Sequence, residues 1–334
     1  MLRTGAVFTI LISAFTFPSK GATQLNGAGA TFPSPIYQRW GQDYNKTNPD
    51  VQVNYQSIGS GAGVKQFVAG TVDFGASDAA MSDEEIAKAP AGVVMLPMTA
   101  GSIVLAYNLP GVTDLKLSRD AYTGIFLGTV AKWNDPVIAK ENPGVTLPDM
   151  PISVAYRSDG SGTTFVFTQH LSAVSADFKG KVGVGKQVTW PVGVGGKGNE
   201  GVTALVKQSP GAIGYVEYGY ATHTGLAFAT LQNKSGAFVK PTPASGAATL
   251  ATVQLPANLR IWPTDPVGAD NYPIATFTWI VVPKTFPDKA KWAVLKAWLT
   301  YDLTEGQKVA DSLGYIPLPA PVVEKDKAAL ETIQ

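Results

Sequence analysis

The chain has 334 residues, of which 45% are hydrophobic and 15% charged, and its formal net charge is +1. This length suits two domains of ordinary size, and the balanced charge argues against binding nucleic acid by releasing counterions from a phosphate backbone. There is no cysteine, so disulfides and thiolate metal sites are excluded, and the two histidines and scattered acids predict no metal site and no cofactor.

The N-terminal residues have the composition of an export signal. Arg3 supplies a positive charge, residues 6–17 are largely apolar, and residues 19–21 match a small-x-small cleavage site. We expect residues 1–21 to be a signal peptide, cleaved near Gly21 or Ala22, and the mature chain to reside in the periplasm. The apolar run is too short to span a bilayer and no later run is long enough, so no membrane insertion of the mature chain is expected.

Two short segments rich in glycine and hydroxyl residues come next. Gly27-Ala-Gly-Ala-Thr-Phe32 precedes a proline that suits a first helical turn, and Gly59-Ser-Gly-Ala-Gly63 opens a helix after the alternating strand 51–55. A helix N-terminus has unpaired N–H groups and the positive end of the dipole, so it can bind an anion. Taken alone, each segment is more typical of a plain helix cap, with Thr31 or Ser60 as the capping residue.

Asp78 follows the next predicted strand, residues 72–75. A carboxylate beside a bound dianion is unfavourable unless the anion donates a proton to it. Hydrogen phosphate carries such an O–H near neutral pH and sulfate does not, so Asp78 in an anion site would favour phosphate over sulfate. The alternative is a solvated turn residue. Shortly after it, Ser82-Asp-Glu-Glu85 predicts a capping box.

The third glycine-rich segment, Arg157-Ser-Asp-Gly-Ser-Gly-Thr163, is the most specific. A predicted strand over 152–156 delivers Arg157, which can make charge-assisted hydrogen bonds to a phosphate-like group. Ser161 can offer a hydroxyl and a backbone N–H, and Gly162 allows an anion close to the main chain. The alternative is a strand–turn–helix connection with a capping serine and a surface arginine.

The remaining elements predict an α/β protein with two lobes. Residues 102–107 read as a strand that crosses between domains, residues 233–257 as irregular surface chain, and residues 274–282 as a buried strand. Trp292, Leu295 and Leu299 form the apolar face of a final long helix. We expect residues 22–100 and 262–334 to form lobe I, and residues 101–261 to form lobe II.

Two enzyme-like patterns are incomplete. Residues 180–186 have P-loop spacing, but Gln187 follows where a magnesium-binding hydroxyl is needed. Residues 75–79 resemble a nucleophile elbow that lacks its last glycine, and a triad would need His170 or His223, neither of which lies in an informative motif. No activated nucleophile is therefore predicted, and the protein is expected not to be an enzyme.

Together the segments resemble the PstS family, the periplasmic phosphate-binding proteins of bacterial phosphate ABC importers. The resemblance rests on motifs in one order along the chain: Gly27-Ala-Gly-Ala-Thr-Phe-Pro33, Val64-Lys-Gln66, Thr71-Val-Asp-Phe-Gly-Ala-Ser-Asp78, Arg157 to Thr163, Trp190-Pro, Gly195-Gly-Lys-Gly-Asn199, Pro210 to Tyr218 and Leu313-Gly-Tyr-Ile-Pro-Leu-Pro319. It implies a two-lobed periplasmic binding protein fold of type II, with mixed sheets flanked by helices and the ligand in the cleft between lobes.

The resemblance also implies the ligand residues. Phosphate would be contacted by these positions: Thr31, Phe32 through its backbone N–H, Ser60, Asp78, Arg157, Ser161, Gly162 and Thr163. Asp78 would accept the phosphate proton, and Arg157 would pair with the anion and could also pair with Asp78.

These inferences lead to one expected function and two alternatives. The expected protein is a monomer that binds inorganic phosphate with high affinity and delivers it to the membrane subunits of an ABC permease. The alternatives are a secreted phosphatase or phosphotransferase that uses the same pocket, and a binding protein for another tetrahedral oxyanion.

Overall fold

A computed structural model describes residues 22–334; the predicted signal peptide, residues 1–21, lies outside the described residues. The strands are β1 (Thr23–Gly29), β2 (Val51–Ser57), β3 (Phe74–Ser77), β4 (Val94–Asn108), β5 (Lys116–Leu117), β6 (Ser153–Arg157), β7 (Val194–Gly196), β8 (Ala212–Glu217), β9 (Ala227–Phe228), β10 (Thr230–Gln232), β11 (Phe238–Val239) and β12 (Ala275–Val282). The α-helices are α1 (Ser34–Thr47), α2 (Ser60–Val68), α3 (Asp83–Ile86), α4 (Arg119–Leu127), α5 (Pro136–Ala139), α6 (Gly162–Val174), α7 (Ala176–Lys181), α8 (Gly198–Gln208), α9 (Tyr218–Thr224), α10 (Pro243–Ala251), α11 (Lys289–Asp302) and α12 (Ala320–Leu330). Two short 3₁₀ helices cover Glu305–Val309 and Asp311–Leu313.

Most strands belong to one mixed sheet that β4 runs through. The strand order is β2-β1-β3-β12-β4-β8-β6-β7, with β9 also on β4, and β11-β10-β5 form a separate small sheet. Residues 94–102 of β4 pair antiparallel with β12, whereas residues 103–108 pair with β8. We name the elements on the β12 side of β4 the first lobe and those on the β8 side the second lobe. The residue boundaries of lobes I and II given above stay predictions.

Local sequence explains several of these elements. The Ser118 hydroxyl accepts a hydrogen bond from Ala121 N–H at the start of α4, and Gly128 with φ 75° ends that helix. The predicted capping box is present, because Ser82 and Glu85 each bond the other's backbone N–H. The predicted buried strand is β12, in which every residue is buried.

Each lobe has its own aromatic packing. In the first lobe the Phe74 ring lies 5.1 Å from that of Trp298, which α11 supplies. In the second lobe the Phe167 ring of α6 stacks on Tyr215 of β8, with centroids 4.5 Å apart. Burying such large side chains is the main stabilising term for each lobe, at roughly 2–3 kcal/mol per side chain.

The structure contradicts two expectations about the second half of the chain. Residues 233–257 are not all irregular, because they include β11 and α10; Thr242 and Ser245 form a capping box at the start of α10, a signal hidden by the loop-like composition. The predicted apolar face of α11 is buried, but α11 is not the final helix. α12 follows it, and its prolines lie at or before the first turn, where proline is tolerated.

Within residues 22–334, no helix combines the length and apolar character needed to cross a bilayer.

Candidate functional site

The three glycine-rich segments and Asp78 meet between the two lobes. The Ser60 hydroxyl accepts a hydrogen bond from the Asp78 N–H at 3.2 Å within the first lobe. Thr163 at the start of α6 donates its hydroxyl to Asp78 Oδ2 at 3.2 Å, and the Gly61 N–H donates to the Gly160 carbonyl at 2.8 Å. The last two contacts join the first lobe to the second, so segments about 80 to 100 positions apart in sequence form one buried cluster.

Ser60 is not the helix cap that its sequence context suggests. It is the first residue of α2, and Gly59 precedes it in a left-handed conformation with φ 90°. A side chain at position 59 would also lie 2.2 Å from Asp159 Oδ2, so both conformation and space require glycine there. Because the fully buried Ser60 Oγ accepts from Asp78 N–H, its own hydrogen can be donated to a ligand.

Thr31 is likewise a hydroxyl with a hydrogen to donate. Its Oγ1 accepts from the backbone N–H and the side-chain Nδ2 of Asn199, at 3.0 and 2.8 Å. The N-cap of α1 is Pro33, and no side chain caps that helix, so the capping interpretation of Thr31 was wrong. Sequence reasoning missed Asn199, although it lies in a glycine-rich segment at the start of α8.

Phe32 presents its backbone to the same region and its ring to the core. The carbonyl accepts the Tyr315 hydroxyl at 2.6 Å, and the ring is fully buried against Gly101. Its N–H makes no backbone hydrogen bond within residues 22–334. The predicted contribution of Phe32 through its backbone N–H is therefore compatible with the geometry.

Ser161 is the N-cap of α6, and this limits what it can offer. Its Oγ accepts from Thr164 N–H at 3.0 Å, and its own N–H is donated to the Lys186 carbonyl at 2.7 Å. The expectation that Ser161 has a free backbone N–H is thus wrong, and only its hydroxyl hydrogen remains. The next two N–H groups, of Gly162 and Thr163, occupy the first turn of α6, where no intrahelical acceptor exists.

Gly162 allows a close approach between the lobes. A Cβ at this position would lie 2.5 Å from Ser60 Oγ and 2.7 Å from the Asp78 backbone nitrogen. Any other residue would push α6 away from the first-lobe segments.

Arg157 is held by a partner that the sequence analysis did not identify. Arg157 is 3% exposed, and its guanidinium forms a bidentate pair with Asp159, with Nε–Oδ1 at 2.8 Å and Nη2–Oδ2 at 2.6 Å. It also donates from Nη1 to Thr163 Oγ1 at 3.3 Å. No hydrogen bond joins Arg157 to Asp78 among the described residues, so the suggested pair between them is replaced by the pair with Asp159.

The Arg157–Asp159 pair is ionised on both sides. Burial by itself would raise the pKa of Asp159, but hydrogen bonds and charge from Arg157 outweigh it and hold that pKa below the usual range. Because a buried arginine requires a counterion, Asp159, two residues after Arg157, was the sequence signal that could have identified this pair.

Asp78 lies in the opposite electrostatic situation. Its Oδ1 accepts the Thr278 hydroxyl at 2.9 Å and its Oδ2 accepts the Thr163 hydroxyl, while the residue is 1% exposed. Burial raises its pKa to about 6, against the lowering effects of Thr278, Arg157 and Thr163. Near neutral pH Asp78 is therefore mostly ionised, and its carboxylate oxygens can accept further hydrogen bonds.

The cluster has one chemical character. It offers hydroxyl hydrogens from Thr31, Ser60 and Ser161, the positive Arg157, and backbone N–H groups at Phe32 and in the first turn of α6. Against these donors stands a single carboxylate, Asp78, that lacks a cationic hydrogen-bond partner. Such a set is complementary to a small oxyanion that carries one proton of its own.

The residues of the two enzyme-like patterns are engaged elsewhere. Ser77 donates its hydroxyl to the Ala79 carbonyl at 2.6 Å. Buried His170 contacts the Tyr122 hydroxyl at 3.0 Å, and His223 contacts the Gly219 carbonyl. The P-loop-like residues begin inside α7, not in a loop between a strand and a helix. Within residues 22–334 no cluster of three or more His, Cys, Asp or Glu is arranged to hold a metal.

Comparison with known proteins places this geometry in context. A family model described as a PBP superfamily domain matches residues 18–305. The Phosphate-binding protein PstS of Pasteurella multocida is 42% identical over 336 residues, which cover 99% of this chain and 96% of that protein. The protein of the same name from Haemophilus influenzae is 43% identical, over 95% of each chain.

Solved structures share the fold at low sequence identity. A phosphate-binding protein from Stenotrophomonas maltophilia has a TM-score of 0.70 and 22% identity, over 92% of this chain and 93% of that one. A high affinity periplasmic phosphate-binding protein, PfluDING, determined with bound phosphate, has a TM-score of 0.74 and 20% identity, over 91% and 93%. The predicted two-lobed α/β fold of a type II periplasmic binding protein is confirmed.

Proposed function

Because this chain belongs to the PstS family of phosphate-binding proteins, we propose that it binds inorganic phosphate in the cleft between its lobes and delivers it to an ABC permease for import. The ligand residues we propose are the eight expected from the sequence: Thr31, Phe32, Ser60, Asp78, Arg157, Ser161, Gly162 and Thr163.

The observation that carries this proposal is the position of Asp78 among hydrogen-bond donors. A fully ionised oxyanion such as sulfate would be repelled by the carboxylate and would leave its acceptor oxygen without a donor. Phosphate retains a proton near neutral pH and can donate it to Asp78 while its other oxygens accept from the hydroxyls, the N–H groups and Arg157. The same geometry therefore supports both anion binding and preference for phosphate.

Ligand capture in this proposal is closure of one lobe on the other. Contacts between the lobes surround the cluster: Gly61 bonds Gly160, Asn199 bonds Thr31, and Lys186 forms an ion pair with Glu85 at 2.5 Å. Closing these contacts around phosphate replaces its water shell by fixed dipoles, and opening them at the permease releases it.

The rest of the proposal concerns setting and partners. After removal of residues 1–21 the chain acts as a periplasmic monomer whose partners are the membrane subunits of the permease. We propose no catalytic step, because the serines of the cluster contact backbone groups and no histidine is bonded to them.

Calorimetric titration with phosphate and with sulfate tests the proposal on the mature protein and on Asp78→Asn. We expect the unmodified protein to bind phosphate at micromolar concentration or tighter, about −8 kcal/mol, and sulfate at least about 100-fold more weakly. In Asp78→Asn the amide can donate to sulfate, so the preference for phosphate should shrink by about tenfold or more.

Asp50→Asn is the matched control, since it removes an exposed carboxylate of the same lobe and should leave both affinities unchanged. Sulfate binding as tight as phosphate binding in the unmodified protein would contradict the role of Asp78. Absence of any phosphate heat would contradict the proposed function, and turnover of a phosphomonoester that is lost in Ser60→Ala or Ser161→Ala would favour the phosphatase.

A further inference from the structure

A β-bulge lies beside the candidate site, in the pairing of β12 with β4. Thr278 pairs with Thr99, but the next residue, Trp279, pairs with Pro97, so Met98 is passed over. A bulge bends a strand and re-aims the side chains next to it. On the other edge of β12, Trp279 pairs with Ser77, the last residue of β3. The bulge therefore sits next to the point where the chain leaves β3 and reaches Asp78.

The side chain at the bulge contacts Asp78 directly. Thr278 Oγ1 donates to Asp78 Oδ1 at 2.9 Å, and both residues are at most 1% exposed. The other carboxylate oxygen, Oδ2, is the one that faces the second lobe, where it accepts from Thr163. Because a carboxylate can rotate and can also take up a proton, a fixed donor on Oδ1 determines which oxygen is turned toward the cleft and keeps it an acceptor.

We propose that Thr278 is a positioning residue that sets anion specificity: its hydroxyl holds Asp78 ionised and with Oδ2 toward the ligand, so that the site accepts the proton of phosphate and rejects sulfate. This inference rests on the proposed function. Thr278 is the first of the neighbouring groups that oppose the effect of burial on the pKa of Asp78, ahead of Arg157 and Thr163.

Loss of the Thr278 hydroxyl should affect anion affinity differently from loss of a residue that only supports the fold. Without the Thr278 hydroxyl, Asp78 either turns or is protonated more readily. A protonated Asp78 can donate to sulfate and no longer accepts from phosphate, so the two affinities move differently. Loss of packing alone would weaken both anions by the same factor.

The test measures phosphate and sulfate affinities of the mature protein with Thr278→Val, which keeps the branched shape and removes the hydroxyl. We expect the ratio of phosphate to sulfate affinity to fall by about tenfold or more, the size expected for one hydrogen bond to a charged group. Thr278→Ser restores the hydroxyl and should stay within about threefold of the unmodified ratio. Thr276→Val is the matched control, because Thr276 is equally buried on the same strand but donates only to the Phe277 carbonyl.

An unchanged ratio in Thr278→Val, whether both affinities fall together or neither changes, would overturn the inference. If Thr278→Val does not fold, Thr278→Ala removes the same hydroxyl with less bulk and carries the same expectation. Failure of the proposed function is distinguishable, since it would show as absence of phosphate binding in the unmodified protein.

Discussion

At the scale of single residues, Asp78 combines a function with a cost in stability. Its pKa in the folded protein is about 6, compared with 3.8 for an unperturbed aspartate, and burial is the main cause. The folded state therefore holds this proton more tightly than the unfolded state. Protonation of Asp78 therefore adds to the free energy of unfolding below about pH 4. This stabilisation is lost as the pH rises through about 6, and it totals roughly 3 kcal/mol.

Asp78→Asn should accordingly stabilise the phosphate-free protein near pH 7.5 by up to about 3 kcal/mol and near pH 4.5 by only about a third of that. The amide is neutral at both pH values. At pH 4.5 the folded-state carboxyl is still protonated and the cost comes only from ionisation in the unfolded state, whereas at pH 7.5 the carboxylate is charged and buried. Thermal unfolding at the two pH values measures this, and we expect a midpoint several degrees higher at the upper pH, with about 3 kcal/mol as the limit.

Asp50→Asn serves again as the comparison, since it replaces an exposed carboxylate of the first lobe and removes no buried charge. A midpoint for Asp78→Asn that is lower than that of the unmodified protein by the same amount at both pH values would mean that the buried charge is not the cost described here.

Sequence patterns singled out candidate residues where the chemistry is local and missed a contact that depends on folding. The hydroxyls, Asp78 and Arg157 stood out because each lies at a glycine-rich helix start or a strand end. Thr278 carries no such signal: it sits inside a hydrophobic strand, 200 positions from the carboxylate that it contacts. Thr278 and Asp78 are brought together only by the pairing of β3 with β12 in the folded sheet.

At the scale of elements, the four-residue helix α3 and the segment after α7 form an ion pair between the lobes. Lys186 Nζ lies 2.5 Å from Glu85 Oε1, and the other Glu85 oxygen accepts the Ser82 N–H of the capping box. The Lys186 carbonyl in turn accepts the N–H of Ser161, a proposed phosphate ligand. The capping box thus orients the Glu85 side chain, whose ion pair with Lys186 connects the two lobes close to the site.

Lys186→Met should therefore accelerate phosphate release, because this ion pair must break before the lobes separate. The pair is only partly exposed, so we expect a dissociation rate about three- to tenfold higher, with a smaller change in the association rate. Stopped-flow measurement of phosphate release gives both rates.

Lys181→Met provides the control, since Lys181 pairs with Asp177 on the exposed face of α7 within the second lobe. Equal rates of release from the Lys186 and Lys181 variants would show that the ion pair does not restrain opening.

Elements were predictable where sequence patterns are strong. The capping box at Ser82, the buried strand β12 and the apolar face of α11 were all recognisable. Helix α10 was not, because alanine, glycine and serine are as typical of loops as of a packed helix. Its structure depends on burial of Leu250 and on the Thr242 cap.

At the scale of the whole molecule, the two lobes share β4 and meet around the candidate site. Residues 94–102 of β4 pair with β12, apart from Met98 at the bulge, and residues 103–108 pair with β8. Movement of one lobe relative to the other must then be concentrated near the junction of these two pairings, at residues 102–103, and wherever the chain crosses back before β12.

The hydrogen bond from Gly61 to Gly160 makes that movement observable at a single atom. Gly61 is the second residue of α2, so its N–H has no acceptor within its own helix and depends on the carbonyl of the other lobe. Whenever the lobes part, this N–H meets water and its hydrogen can exchange for deuterium.

Phosphate should slow exchange at Gly61 by at least about tenfold. The N–H of Gly63, bonded to Gly59 within the first lobe, should exchange at nearly the same rate with and without phosphate. Equal slowing at both glycines would point to general stiffening instead. If only Gly61 is slowed, the ratio of its exchange rate to that of an unprotected amide gives the fraction of time that the molecule spends open.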